Sequence, residues 1–260
     1  MAWIERSTRD AIALFTDRTG GVSAAPYDSA NVGFNTDDDP PSLAENRRIA
    51  RGFFKGPKAW VHAEQVHGAD VVYVGEGLDP ARELYSVGPA DGIVTARRDL
   101  SPAIFTADCA PIALSAQGVV AGVHAGWRGL SYGVIERALE TLRSVADKAV
   151  IAGSGKVDPG VSAIIGPCIH PCCYEFPQDQ IEIIAEKFES RVEGRTSTGR
   201  PSLDIPGAVR AALKRAGVSA IDDLDVCTSC DKDYFSHRRD GPVTGRQVML
   251  VALSAGDVTE

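Results

Sequence analysis

No stretch of this chain approaches the ~18 consecutive apolar residues needed to cross a bilayer. The amino-terminal MAWIERSTRD has no basic segment followed by an apolar one, so no secretory leader is expected. Together these absences lead us to expect a cytoplasmic protein. Excess positive charge is also missing: 27 Lys and Arg face 35 Asp and Glu, a net charge of −8. Nonspecific nucleic-acid binding needs clustered cations, so neither nucleic acid nor an anionic membrane is expected as a partner. Internal repeats, low-complexity tracts and long linkers are absent, and residues 1–260 read as one domain.

What is present is ordinary globular material, 44% hydrophobic and 24% charged. In a reducing compartment the six cysteines should mostly be thiols, which turns attention to metal binding and reactivity. Arg47-Arg48, Arg97-Arg98 and Arg238-Arg239 leave room for a local phosphate site, although solvated surface is the usual fate of such pairs.

The pattern of elements is mixed. Ala11–Phe15 is a short apolar run, and residues 26–41 read as a long loop. Ser42 and Glu45 form a capping-box pattern before a helix to about Phe54. Trp60–His62 and Val71–Val74 are expected strands flanking a QVHG turn, and Gly75–Pro89 an excursion over the surface. Gly92–Ala96, Ala103–Thr106, Ile112–Ser115, Val119–His124 and Ala163–Ile165 are short, apolar and turn-bounded, as buried strands are. Leu130–Val145, Gln178–Phe188 and Gly207–Ala216 carry helical spacing, and Asp225–Cys227 and Gln247–Leu253 read as strands. Strict βαβ alternation is missing, which favours a mixed-sheet α+β fold over a doubly wound one.

Chemistry concentrates in Thr106–Gly129, where Cys109 and His124 stand at the edges of two apolar runs; His67 stands in a similar setting upstream. Two imidazoles and a thiol fit an open catalytic zinc site, which uses three protein ligands and keeps a position free. The separations of 42 and 15 residues (109 − 67 and 124 − 109) are not those of a local zinc finger. The competing reading is a buried cysteine with two histidines satisfied by backbone.

Nine strings in order, FTDRTGGVS (15–23), DSANVG (28–33), ENRR (45–48), QVHG (65–68), ADGIVT (90–95), TADCAPI (106–112), HAGWRGL (124–130), IGPCIHPCCYEF (165–176) and FSHRRDGPVTGR (235–246), resemble those of one family. It is the laccase-domain family, also called YfiH-like or multicopper polyphenol oxidase-like, which includes purine nucleoside phosphorylases and a peptidoglycan editing factor. The resemblance implies a four-layer α/β/β/α sandwich of mixed sheets. It also implies metal binding by His67, Cys109 and His124, and phosphorolysis of adenosine, inosine and methylthioadenosine with adenosine deamination beside it. Its older naming implies copper-dependent phenol oxidation.

Several coppers need many histidines, and the chain has five, so oxidation is the least favoured activity. Zinc is the expected cofactor, with copper as the alternative. Zinc with an open position suits deamination, because it brings a bound water toward neutral pKa. Glu175 and Asp108 are candidates for the acid that protonates the leaving amine. Phosphorolysis needs an arginine on the phosphate, best held through two hydrogen bonds. Arg47 and Arg128 are the first candidates and Arg18 and Arg238 the next, with a loop-ordering salt bridge as the alternative role for each.

A second chemistry makes Cys109 the nucleophile of a Cys/His hydrolase that removes a wrongly incorporated amino acid from a UDP-muramoyl substrate. A third alternative is a protein that binds metal and turns nothing over. Cys227 and Cys230 form one CxxC; the second CxxC of a zinc ribbon is missing, which disfavours a second metal site. His170 and His237 read as structural or supporting residues, with His237 able to face a substrate. A nucleoside and phosphate are the expected partners, and a monomer the expected state.

Overall fold

The computed structural model describes residues 1–79, 82–152, 160–188 and 192–254. In chain order the first elements are β1 (Trp3–Ser7), β2 (Ala11–Thr16), α1 (Pro40–Phe53), β3 (Ala59–Glu64), β4 (Val71–Tyr73), β5 (Leu84–Pro89) and β6 (Gly92–Thr95). Next come β7 (Leu100–Thr106), β8 (Ala110–Ala116), β9 (Val119–Ala125), α2 (Trp127–Tyr132), α3 (Val134–Ala152), β10 (Ser162–Ile165) and α4 (Gln178–Phe188). The last are β11 (Glu193–Arg195), β12 (Pro201–Leu203), α5 (Ile205–Arg215), β13 (Ala220–Asp223), α6 (His237–Asp240) and β14 (Gln247–Leu253).

Two six-stranded sheets form, ordered β1-β2-β14-β7-β3-β5 and β13-β10-β8-β9-β6-β4, beside a small β11-β12 hairpin. Both sheets are mixed: β3 runs parallel to β5 and β7, β4 to β6, and β10 to β13, while the other pairs are antiparallel.

The alternation of β14 shows why the sheets stack. Met249, Val251 and Leu253 pack between the sheets with Phe15, Ile104, Val120 and Ile164. Val248, Leu250 and Ala252 point the other way and pack with Phe54 at the end of α1 and Trp60 of β3. Side chains two apart share a strand face, so one strand feeds both cores. On the outer face of the second sheet, Ile135, Leu139 and Leu142 of α3 pack with Ile112, Leu114 and Val123, and α4 and α5 join the same core. The layers are therefore α1, sheet, sheet, and the remaining long helices: the expected α/β/β/α sandwich of α+β class.

Four local expectations are corrected. The cap of α1 is Asp39, not Ser42: its side chain accepts from Ser42 N at 3.0 Å and Ser42 Oγ at 2.7 Å, and Pro40-Pro41 fill the first turn. Proline suits that turn because its missing N–H would be unpaired anyway; Glu45 pairs with Arg48 instead. The helix expected over Leu130–Val145 is broken at Gly133, which takes φ 88° and separates α2 from α3. The excursion at Gly75–Pro89 contains β5, an edge strand of the first sheet. Asp225–Cys227 is not a strand; Cys227 makes only an isolated bridge to Cys168, and β13 lies earlier.

Candidate metal centre and active site

The site is carried by residues that follow β3, precede β6 and β8, and end β9. Cys109 precedes β8, whose first residue, Ala110, pairs with Ala125 at the end of β9, and His124 pairs with Pro111. β6 pairs with β9 so that Gly92 faces Val123, which places Asp91 beside His124. His67 follows β3 of the other sheet, so both sheets contribute.

Asp91 joins these pieces. It is fully buried, lies 2.7 Å from His124 Nδ1 through Oδ1, and accepts the backbone N–H of His67 at 3.0 Å and of Gly68 at 2.6 Å. Burial pushes its carboxyl upward, but the bond and charge of His124 and the two backbone donors outweigh burial and hold it below the usual range. His67 has φ 57°, a left-handed conformation unusual for a non-glycine residue, and the carboxylate under its turn holds it there. With Nδ1 committed to Asp91, His124 offers Nε2 to the site. Asp91 lies inside the string ADGIVT, where no metal-binding or catalytic pattern in the sequence marks it.

Cys109 Sγ lies 4.0 Å from His67 Nδ1, and the ligand atoms of His67, Cys109 and His124 all lie within 4.8 Å of one another. Burial pushes the Cys109 thiol up, yet the charge and hydrogen bond of His124, together with His67, bring it down to about 6. Burial likewise pushes His124 down, while Cys109 and Asp91 raise it to about 9. The metal-free pair is therefore a thiolate beside an imidazolium. A thiolate and two imidazoles are a donor set suited to zinc. Gly126 keeps space beside them: a Cβ there would stand 3.0 Å from both Cys109 Sγ and His67 Nδ1. The residues present fit a single bound metal ion.

This cluster lies in a cavity of about 530 Å³. Aromatic side chains of Phe34, Phe105, Trp127, Tyr174 and Phe176 line it, with Arg128, Arg238, Arg246 and His237. Arg128 lies 4.9 Å from the Trp127 ring and has no hydrogen-bond partner among the described residues. Arg238 stacks over Tyr174 at 4.6 Å and gives one N–H to Glu175 O at 2.9 Å. Arg246 is held by the carbonyls of Thr244 and Gly245 at 2.7 and 2.9 Å, and burial lowers its pKa. Arg246 closes the string that also holds Arg238, but nothing in its own sequence setting marks it as a site residue. Thr106 Oγ1, also on the cavity wall, is buried and unpaired among the described residues.

Other sequence candidates lie elsewhere. Arg47 is not on the cavity wall: it donates to Val32 O at 3.0 Å and Gly33 O at 2.6 Å and stacks 3.8 Å over the Phe34 ring. Arg18 ties Asp28 and Asp240 together and covers Phe235. Glu175 is exposed, pairs with Arg200 at 3.0 Å, and does not line the cavity. Asp108 does line it, but its two oxygens accept from Thr228 Oγ1 and Arg238 N, each at 2.7 Å, and its backbone has φ 98°. Both oxygens are thus engaged, one of them by a backbone N–H of α6. His62 is stacked against Phe34 at 4.0 Å, and His170 lies 3.9 Å from Asp225, so neither joins the cluster.

Residues 12–254 match the family described as multi-copper polyphenol oxidoreductase laccase, and the chain belongs to that family. It is 38% identical over 249 residues to a purine nucleoside phosphorylase of Streptomyces griseus, covering 95% of this chain and 96% of the relative. A purine nucleoside phosphorylase of Streptomyces coelicolor is 39% identical over 243 residues, covering 92% and 94%. Among solved structures, YlmD of Geobacillus stearothermophilus superposes with a TM-score of 0.81 at 30% identity, covering 97% of this chain and 96% of that one. A Neisseria meningitidis protein gives 0.78 at 27% identity, covering 97% and 99%.

Proposed function

We propose that this chain is a zinc-dependent purine nucleoside phosphorylase acting on adenosine, inosine and methylthioadenosine, with adenosine deamination as a second activity. The observation that carries this reading is one cavity joining three features: the His67–Cys109–His124 cluster, flat aromatic walls, and arginines without full pairing. The names of the relatives support its coarser part, purine nucleoside phosphorolysis.

The planar base stacks between aromatic faces such as Trp127, Tyr174 and Phe176, as ring quadrupoles favour. Arg128 and Arg238 hold the phosphate, and Arg246 adds positive charge behind it. The Thr106 hydroxyl is available to a ligand hydroxyl. Phosphate oxygen bonds to the anomeric carbon as the bond to the purine nitrogen breaks, and the purine leaves with the electron pair. His124 and His67 stay fixed by Asp91 throughout, so the site is arranged before substrate enters. His67, Cys109 and His124 would hold zinc, which when bound supplies Lewis acidity to the site. Six free cysteines fit a reducing compartment, as the proposed cytoplasmic location provides. No helix among the described residues is long and apolar enough to cross a membrane.

Chromatography of adenosine incubated with zinc-loaded protein, with and without phosphate, tests this reading. Adenine formed only with phosphate, and lost in Cys109→Ala, is the expected result. Inosine formed without phosphate would report the deaminase activity. Absence of both products would overturn the proposal. One observation favours a second reading, a cysteine hydrolase acting on a UDP-linked muramoyl amino acid: Cys109 Sγ stands beside the imidazoles of His67 and His124, whose charge and hydrogen bonds lower its thiol. Turnover of that substrate after metal removal would select it.

A further inference from the structure

The single CxxC at Cys227 and Cys230 finds its complement in an adjacent pair. Cys172 and Cys173 lie on the loop between β10 and α4, and the fold places them against the loop that follows β13. The sulfur of Cys172 lies 3.7 Å from that of Cys173, 3.8 Å from Cys227 and 3.5 Å from Cys230, and Cys173 lies 3.3 Å from Cys230. All four sulfurs fall within 4.8 Å of one another. Zinc–sulfur bonds of about 2.3 Å place the corners of a tetrahedron about 3.8 Å apart, so the observed edges are close to those of a tetrathiolate cage. The backbone N–H of His170 points at Cys227 Sγ at 3.4 Å, a donor of the kind that stabilises a thiolate ligand. The four cysteines are free, with no disulfide among them.

We propose that Cys172, Cys173, Cys227 and Cys230 form a second, structural zinc site, separate from the His67–Cys109–His124 centre. Four thiolates fill the tetrahedron and leave no open position, so this site holds structure and performs no chemistry. Its structural effect reaches the cavity. Cys173 is followed by Tyr174, a wall residue, and Cys230 lies on the loop leading to His237 and Arg238. Thr228, between the two cysteines of that loop, bonds Asp108 beside Cys109. A metal clamping the two loops adds to the hydrogen bonds that hold this wall, those from Thr228 and Arg238 N to Asp108 and from Arg239 to the carbonyls of Thr228 and Asp231.

Metal content of the full chain, loaded with zinc chloride under reducing conditions and freed of excess, separates the two sites. The expected content is about two zinc ions per chain, falling to about one in Cys109→Ala and about one in the Cys227→Ser/Cys230→Ser double variant. Cobalt(II) in Cys109→Ala, a variant that leaves the four-cysteine cage intact, should give the intense charge-transfer and visible bands of tetrahedral tetrathiolate cobalt. The cage cysteines of that cobalt-loaded protein should resist alkylation until metal is removed. Cys109→Ala protein that binds no metal, with all four thiols alkylated at the rate of free cysteine or joined as disulfides, would overturn the proposal. None of these measurements reads nucleoside turnover, so the second site stands or falls independently of the proposed activity.

Discussion

Asp91 Oδ1 lies 2.7 Å from His124 Nδ1, and the same buried carboxylate carries the backbone N–H groups of His67 and Gly68. One side chain thus orients an imidazole from β9 and shapes the turn that presents the other. Asp91→Asn offers one oxygen where two now serve and weakens the hold on the His124 proton. Zinc affinity at this centre should fall by about 10–100-fold, the usual effect of losing a partner that orients a ligand. Competition with a zinc indicator, in protein whose four-cysteine cage is already loaded, measures it. Affinity equal to that of the parent would remove Asp91 from the account.

The metal-free site predicts a pH dependence. The Cys109 thiol at about 6 is ionised at neutral pH, while His124 at about 9 is protonated. Zinc binding at neutral pH must displace the His124 proton. Apparent affinity should therefore rise with pH up to about 9, by about tenfold per unit, and then level off. Below about 6 the thiol proton competes as well and the dependence steepens. Calorimetric titrations in buffers of different ionisation enthalpy count the released protons. No proton release between pH 7 and 8 would contradict the thiolate–imidazolium pair.

The arginines divide by position. Arg128 and Arg238 line the cavity, and Arg47 does not. Arg128→Ala and Arg238→Ala should each raise the KM for phosphate about tenfold or more, as expected when a charged hydrogen-bond donor to an anion is removed. Arg47→Ala strips donors from the carbonyls of Val32 and Gly33 and uncovers Phe34. It should cost about 1–3 kcal/mol of stability, read in urea unfolding, with a smaller change in phosphate KM than either cavity variant. A phosphate KM effect confined to Arg47→Ala would reverse this division.

Glu175 supplies a contrasting expectation. Its side chain pairs with Arg200 on the exposed surface, and such pairs contribute about 0–1 kcal/mol. Glu175→Gln should lower the melting temperature by no more than about 4 °C and leave the rate of adenosine deamination within about twofold of the parent, because the side chain lies outside the cavity. A collapse of deamination would return Glu175 to the role of acid.

Much of the site could be read in the sequence because it sits in contiguous words. QVHG, ADC and HAGWRG each carry one donor, and the strand ends that bring them together were visible as apolar runs. The fold class followed from buried strands that lack βαβ order. What could not be read depends on which way side chains turn. Arg47 and Arg128 both lie in family strings, yet one stacks on Phe34 away from the cavity lining and the other lines the cavity. Glu175 sits two residues from Cys173 but turns outward to Arg200. Asp91 had no apolar or metal-binding pattern to mark it; its role arises only when β6 pairs with β9. The cysteine cage was hidden for a similar reason, since its halves are 55 residues apart at Cys172 and Cys227 and one half is an adjacent pair instead of a CxxC.

The most direct test of the proposed function follows phosphorus. Adenosine and inorganic phosphate are incubated with zinc-loaded protein and observed by 31P NMR while adenine is quantified in the same sample. Ribose 1-phosphate formed in equal amount to adenine, and abolished in His124→Ala, is the result the account predicts. Adenine accompanied by free ribose, or a 31P spectrum unchanged while the parent protein holds its zinc, would contradict it.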